Sequence, residues 1–208
     1  MRISTIATAA ALALAPATAM AAPLAGVETR VLFGELPEGL TAGLIGTASL
    51  VPSDGLFVSF PVTGGVLDGA ATVVFHDGSG VTLSDGMATV GLSDFRIELG
   101  PELVFGNVSL NGDPFAGNVP LFTGPFLANL ADLFLIDAPV VPLLLTAEAV
   151  GALNTVFGTN LPELAQIGTV ATNLAVVPEP ATWGMLIVGF GAVGFALRKR
   201  QTPAVATA

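Results

Sequence analysis

Thr72-Val73-Val74-Phe75-His76-Asp77-Gly78-Ser79-Gly80-Val81-Thr82-Leu83-Ser84-Asp85-Gly86-Met87-Ala88-Thr89-Val90-Gly91-Leu92-Ser93-Asp94-Phe95-Arg96-Ile97-Glu98-Leu99 decides the fold. Short β-branched and aromatic runs alternate here with Asp-Gly pairs. Phe95, Ile97 and Leu99 alternate with Arg96 and Glu98, which puts the two charges on one face of a half-buried strand. Asp-Gly supplies the positive φ that tight hairpins need. The same grammar runs outward in both directions. Thr29–Phe33, Leu56–Val62, Thr72–Phe75, Ala88–Leu92, Phe95–Leu99 and Leu103–Leu110 read as strands. Asp54-Gly55, Asp68-Gly69, Asp77-Gly78, Asp85-Gly86 and Asn111-Gly112 read as turns between them. Strands at such spacing predict a mainly β fold, an antiparallel sandwich or barrel.

One short helix is expected on that sheet. Thr146 is a suitable N-cap and Glu148 lies in the first turn. Ala147, Val150, Leu153 and Val156–Phe157 follow at helical spacing, and Gly158 is a stop, so the helix is placed at Ala147–Phe157. Thr169–Val177 reads as a last strand.

The two ends differ from the middle. Met1-Arg2, an apolar run Ile3–Ala15, and Pro16–Ala21 ending in Ala19-x-Ala21 form the tripartite pattern of an export signal over residues 1–21. Cleavage is expected between Ala21 and Ala22, by signal peptidase after passage through the Sec machinery. The exported β-rich domain then covers 22–177. At the other end Ala181–Leu197 carries no charge. At 1.5 Å per residue it reaches roughly 25 Å, the lower limit for a membrane span. Trp183 lies at one end, and Arg198, Lys199 and Arg200 at the other, where positive charge stays cytoplasmic. This predicts a single C-terminal transmembrane helix at 181–197, a basic stop at 198–200 and a cytoplasmic tail at 201–208. The domain lies in the periplasm, anchored in the inner membrane. Pro178-Glu179-Pro180, with two prolines around one glutamate, is expected to be extended just outside the bilayer.

Charge excludes one class of partner. Between Ala22 and Val177 only Arg30 and Arg96 stand against 15 carboxylates, a formal charge of −13. Such a body repels nucleic acid. Asp54, Asp68, Asp77 and Asp85 each precede Gly, so turn formation accounts for them. No calcium-loop motif is present, and no metal or cofactor set emerges. There is no cysteine, no tyrosine, and one histidine, His76. Ser79 and Asp77 are its sequence neighbours, but neighbours on a turn rarely form a catalytic triad. No catalytic residue is identified, and the chain reads as no enzyme. Gly189-Phe190-Gly191-Ala192-Val193-Gly194 fits G-x-G-x-x-G, yet it lies inside the apolar run and lacks the strand that a dinucleotide site requires before it.

Val177-Pro178-Glu179-Pro180-Ala181-Thr182-Trp183-Gly184-Met185, then Ile187-Val188-Gly189-Phe190-Gly191 and Arg198-Lys199-Arg200, resembles the PEP-CTERM sorting signal in its Trp-containing variant. Gly184 stands where that variant usually has alanine. The resemblance implies recognition by an exosortase, a membrane enzyme of Gram-negative bacteria that make exopolysaccharide. It also implies removal of the tail and delivery to the cell surface or extracellular matrix. A structural or exopolysaccharide-associated role is then expected of the domain.

A second resemblance concerns the domain itself. Phe60-Pro61-Val62-Thr63-Gly64-Gly65, Phe75-His76-Asp77-Gly78-Ser79-Gly80-Val81-Thr82-Leu83, Leu92-Ser93-Asp94-Phe95, Leu144-Leu145-Thr146, Ala152-Leu153-Asn154 and Phe157-Gly158 are similar to HtaA-like β domains of bacterial surface proteins. Some of those bind haem through Tyr or His. A small-ligand, haem-like binding module is therefore one alternative reading, with His76 as the available ligand. A polysaccharide-acting enzyme is the other.

Overall fold

Asn111 (φ 53°) and Gly112 (φ 89°) both take left-handed backbone, as a two-residue primed hairpin requires. In the computed structural model, which describes residues 22–25, 27–176 and 180–200, they join β9 (Leu103–Leu110) to β10 (Asp113–Thr123). A four-residue loop opened by Asp85-Gly86, with Gly86 at φ 85°, turns β7 (Val73–Ser84) into β8 (Thr89–Glu98). The Asp85 carboxylate accepts from the Met87 and Ala88 amides, and the Ser84 hydroxyl accepts from the Gly86 amide and donates to the Ala88 carbonyl, which closes the turn.

The remaining strands are β1 (Ala22–Ala25), β2 (Glu28–Phe33), β3 (Thr41–Gly46), β4 (Ser49–Leu50), β5 (Phe57–Pro61), β6 (Gly64–Leu67), β11 (Val141–Leu145), β12 (Gln166–Thr172) and β13 (Ala175–Val176). One antiparallel sheet runs β13-β1-β6-β7-β8-β9-β10-β11-β12-β2-β5-β4, with β3 on the second half of β7. Its ends meet. β5 pairs with β2, and the same chain, two residues later, pairs with β7 as β6. The Val62 amide bonds to the Val27 carbonyl and the Thr63 amide to the Phe75 carbonyl, so the corner stays hydrogen-bonded as it switches neighbours. With β5 and β6 counted as one bent strand, the ring holds about eight strands, a size at which side chains fill the interior. The fold is mainly β and nearly closed into a barrel.

Two expectations need correction here. Asp77-Gly78 is not a hairpin; it is a bulge inside β7, with Gly78 at φ 73°. The separate runs Ala88–Leu92 and Phe95–Leu99 are one strand, β8, bulged at Asp94 (φ 53°). The two bulges face each other across the β7–β8 ladder, where the register shifts between His76↔Phe95 and Gly80↔Ser93. Each reverses which face the following residues present. On β8 the buried set passes from Val90 and Leu92 to Phe95 and Ile97; on β7 it passes from Val74 and His76 to Ser79 and Val81. Paired bulges bend and twist both strands together, as closing a sheet demands. Asp94 pins them: its carboxylate accepts from the Gly78 amide at 2.8 Å, the Ser93 hydroxyl at 2.9 Å and the Asn107 amide at 3.1 Å.

The expected helix forms over its expected range as α2, after a single turn of helix, α1 (Leu130–Leu133). Thr146 Oγ1 accepts from the Ala149 amide and donates to the Pro120 carbonyl, tying the helix start to β10. Gly158 ends it at φ 64°. Ala149 and Val150 are buried, and Leu153, Val156 and Phe157 pack on the barrel core. The last strand is split: β12 ends at Thr172 and β13 resumes at Ala175. Inside the barrel Phe95 stacks edge-on against Phe60 at 5.4 Å and lies 6.1 Å from Phe122.

Asp94→Ala removes three hydrogen bonds and places alanine at positive φ, and is expected to cost about 2–3 kcal/mol. Exposed Asp77→Ala is expected to stay within about 0.5 kcal/mol. Urea unfolding of the two variants checks this; equal losses would refute the pinning role of Asp94.

Candidate functional site

His76, the single histidine, is 1% exposed inside the barrel. β7 delivers it inward one residue before the bulge. Its Nε2 lies 2.8 Å from Thr29 Oγ1 on β2, which lies 2.8 Å from Thr172 Oγ1 on β12. All three side chains are buried, and Thr29 and Thr172 are directly paired in the β2–β12 ladder. His76 Nδ1 has no hydrogen-bond partner among the described residues. Burial lowers the His76 pKa to about 4, and the neighbouring Phe95 backbone offsets only part of that. The ring is neutral at pH 7.

His76 and Thr29 are the polar members of the wall of an inner cavity of about 40 Å³. The rest is apolar, including Val31, Phe60, Phe95 and Ile97. A second cavity, about 520 Å³, lies at the α2 end of the barrel and shares Phe33, Val81 and Phe122 with the first. Leu36, Leu40, Leu153 and Leu161 line it, with Glu35 and Gln166 among the polar groups.

The sequence neighbours of His76 do not join its ring. Ser79 Oγ donates to the carbonyl of His76 rather than meeting its ring, and the Asp77 carboxylate accepts from Thr63. Among the described residues no three His, Cys, Asp or Glu side chains gather to hold a metal ion. An iron porphyrin at His76 would have to enter a 40 Å³ space, so the barrel interior does not suit haem. The domain's two arginines are engaged in ion pairs: Arg30 with Glu28 and Asp137, and Arg96 with Glu98 at 2.8 Å, the latter also 4.8 Å over the Phe105 ring. The shared face of Arg96 and Glu98 is thus an ion pair. Sequence reading missed Thr29 and Thr172; the only trace was a polar residue in phase with Val31 on an otherwise apolar strand face.

Ala19, Ala21, Pro178 and Glu179 fall outside the described residues, as do the segments 1–21 and 201–208; Ala22 opens β1. Pro180 opens helix α3 (Pro180–Arg200), which also contains Trp183, Arg198, Lys199 and Arg200. Its place in an extended tripeptide is thereby corrected: proline is at home in the first turn of a helix, where its missing N–H costs nothing. Met185, Ile187, Val188, Phe190 and Phe195 are all exposed. Among the described residues no helix is long and apolar enough to cross a membrane.

The family described as the PEP-CTERM protein-sorting motif matches residues 176–201. The chain carries a PEP-CTERM sorting signal. That signal marks exosortase-dependent, membrane-associated sorting toward the cell surface, and makes an exosortase the processing partner. No curated protein matches the chain. The likeness of the barrel to HtaA-like domains finds no support beyond its β character.

Neutral His76 makes stability depend on pH. Between pH 6.5 and about 4 the unfolded chain binds a proton on His76 and the folded chain does not. Stability is therefore complete above pH 6.5 and falls by about 3 kcal/mol toward pH 4. Burial would raise Glu28, but hydrogen bonds from Ser59 and Arg30 outweigh it, and the Gly78 amide lowers Asp94. Those two lose their contribution only as pH falls below 4.5 and 3.8, leaving the upper window to His76. Denaturant midpoints from pH 7 to 4.5 are expected to fall in the wild type and stay flat in His76→Phe; the same slope in both would refute the assignment.

Proposed function

We propose that the chain is an exported, non-enzymatic surface or matrix protein whose acidic barrel is the cargo and whose PEP-CTERM segment is the address. The observation that carries this reading is the motif at 176–201 following a nearly closed barrel. Met1–Ala21 leads the chain through the Sec machinery and is removed by signal peptidase. Ala181–Leu197 then halts in the inner membrane, and the exposed Ile187, Val188 and Phe190 offer apolar surface for lipid. Arg198, Lys199 and Arg200 hold the tail on the cytoplasmic side, and their stems snorkel to relieve the short apolar length. The barrel waits in the periplasm until the exosortase cuts beside Pro178-Glu179-Pro180. A barrel charged at −13 stays dispersed and avoids anionic lipid, which suits life in a hydrated exopolysaccharide matrix.

Mass spectrometry of the protein recovered from the host's surface fraction tests this. Loss of Met1–Ala21 and of the segment beyond Pro180 is expected, and Glu179→Ala is expected to retain the tail and stay with the inner membrane. Surface protein that still ends at Ala208 in a host with an active exosortase would overturn the proposal.

A further inference from the structure

A groove of about 460 Å³ lies on the outer face of β8, β9 and β10 and shares no lining residue with either cavity described above. Its size is within the range of small-molecule sites. Bulges hollow it. The β8–β9 register shifts just past the Ser93↔Asn107 pair, and the β9–β10 register shifts on both sides of Ala116. Asn107 lies between these irregularities and ties them together. Its Nδ2 donates to Asp94 Oδ2 at 3.1 Å, and its Oδ1 accepts from the Asn118 amide at 3.0 Å. Asn118, at φ 52°, is left-handed like Asp94. Bulges of this kind re-aim side chains and recur beside functional sites. Phe115, the extra residue of the first β10 bulge, lines the groove and is 71% exposed. Ser93, Asp94, Asn107 and Ser109 line it with the ring.

We propose that this groove binds the neutral sugar rings of a polysaccharide; the proposal rests on the matrix reading above for the source of the ligand, and on the groove for its chemistry. The polar set is pre-positioned and not exhausted. A carboxylate offers about four lone-pair sites, and Asp94 has accepted only from the Gly78 amide, the Ser93 hydroxyl and the Asn107 amide. Asn107 keeps an N–H and a lone pair, and the Ser93 hydroxyl, having given its proton to Asp94, still accepts. Acceptors and donors thus stand side by side, which is what adjacent sugar hydroxyls require, since each both donates and accepts. A pyranose also has an apolar face of C–H bonds, and the electron-rich face of an exposed phenyl ring is a surface for it. Charge narrows the class. Asp94 in the groove and the acidity of the whole domain repel uronate and phosphate groups. A purely apolar ligand would cover Phe115 and strip water from Asp94 and Asn107 without replacing its hydrogen bonds.

Calorimetric titration of the full chain, in a detergent without a sugar head, tests this with cellohexaose, maltohexaose and laminarihexaose as probes. At least one of them is expected to bind saturably, and hexagalacturonate at least about tenfold more weakly than that one. Phe115→Ala is expected to weaken binding by about tenfold or more, and Phe115→Trp, which keeps an aromatic platform, to retain it. Met87→Ala removes another apolar side chain, 90% exposed in the β7–β8 loop, and is expected to change nothing. No binding of any of the three neutral probes would overturn the proposal. So would hexagalacturonate binding as tightly, full affinity in the folded Phe115→Ala variant, or an equal loss in Met87→Ala. The two readings fail separately: surface protein that keeps its tail refutes the sorting account and leaves a measured sugar affinity standing, whereas a chain indifferent to all three probes leaves the sorting account untouched.

Discussion

The whole molecule depends on a seam. Between β2 and β7 the barrel is closed by one bent strand, β5–β6, which bonds first to one neighbour and then to the other. Behind that seam the line Thr172–Thr29–His76 runs from β12 through β2 to β7. It is a short buried polar path in an apolar interior, and in such a setting a satisfied hydrogen bond fixes geometry strongly because breaking it strands a buried group. The paired bulges at Gly78 and Asp94 supply the curvature, and the seam uses it. His76 points inward in phase with Val74, and the bulge after it turns Ser79 and Val81 inward as well. The seam, the bulges and the buried histidine are consequences of one closure.

How much of this was legible follows from how local each signal is. α2 was legible in full, since its cap, its apolar spacing and its stop all lie within thirteen consecutive residues, Thr146–Gly158. The hairpins at Asp85-Gly86 and Asn111-Gly112 were legible for the same reason. Asp77-Gly78 misled because positive φ serves a turn and a bulge equally; only the partner strand separates them, and the partner is distant in sequence. β3 and β6 are glycine-rich and carry little alternation, so their pairing on β7 decides them, not their own residues. Thr29 and Thr172 were invisible as a pair because 143 positions separate them. The sorting signal was the opposite case: its words are contiguous, and their order alone carries the recognition.

These two halves divide the chain's labour. The tail is read by an enzyme as a linear string and needs no tertiary fold. The barrel folds through long-range pairing without disulfides, by burial and ladder hydrogen bonds alone. An exported domain with no cysteine and marginal net stability has to close its sheet, since an open edge invites pairing with other copies at the crowded surface. Burying the single histidine in neutral form gives up stability in acid in return for a polar path that ties β7 to β2 and β12.

Native-state hydrogen exchange at the seam tests the closed-barrel account most directly. The Val62 and Thr63 amides, bonded to Val27 and Phe75, are predicted to exchange only with global unfolding, as slowly as the central amides of β8 and β9. If they exchange like free edge amides while β8 and β9 stay protected, the sheet is open between β5 and β7, and the account of the fold and of its interior fails.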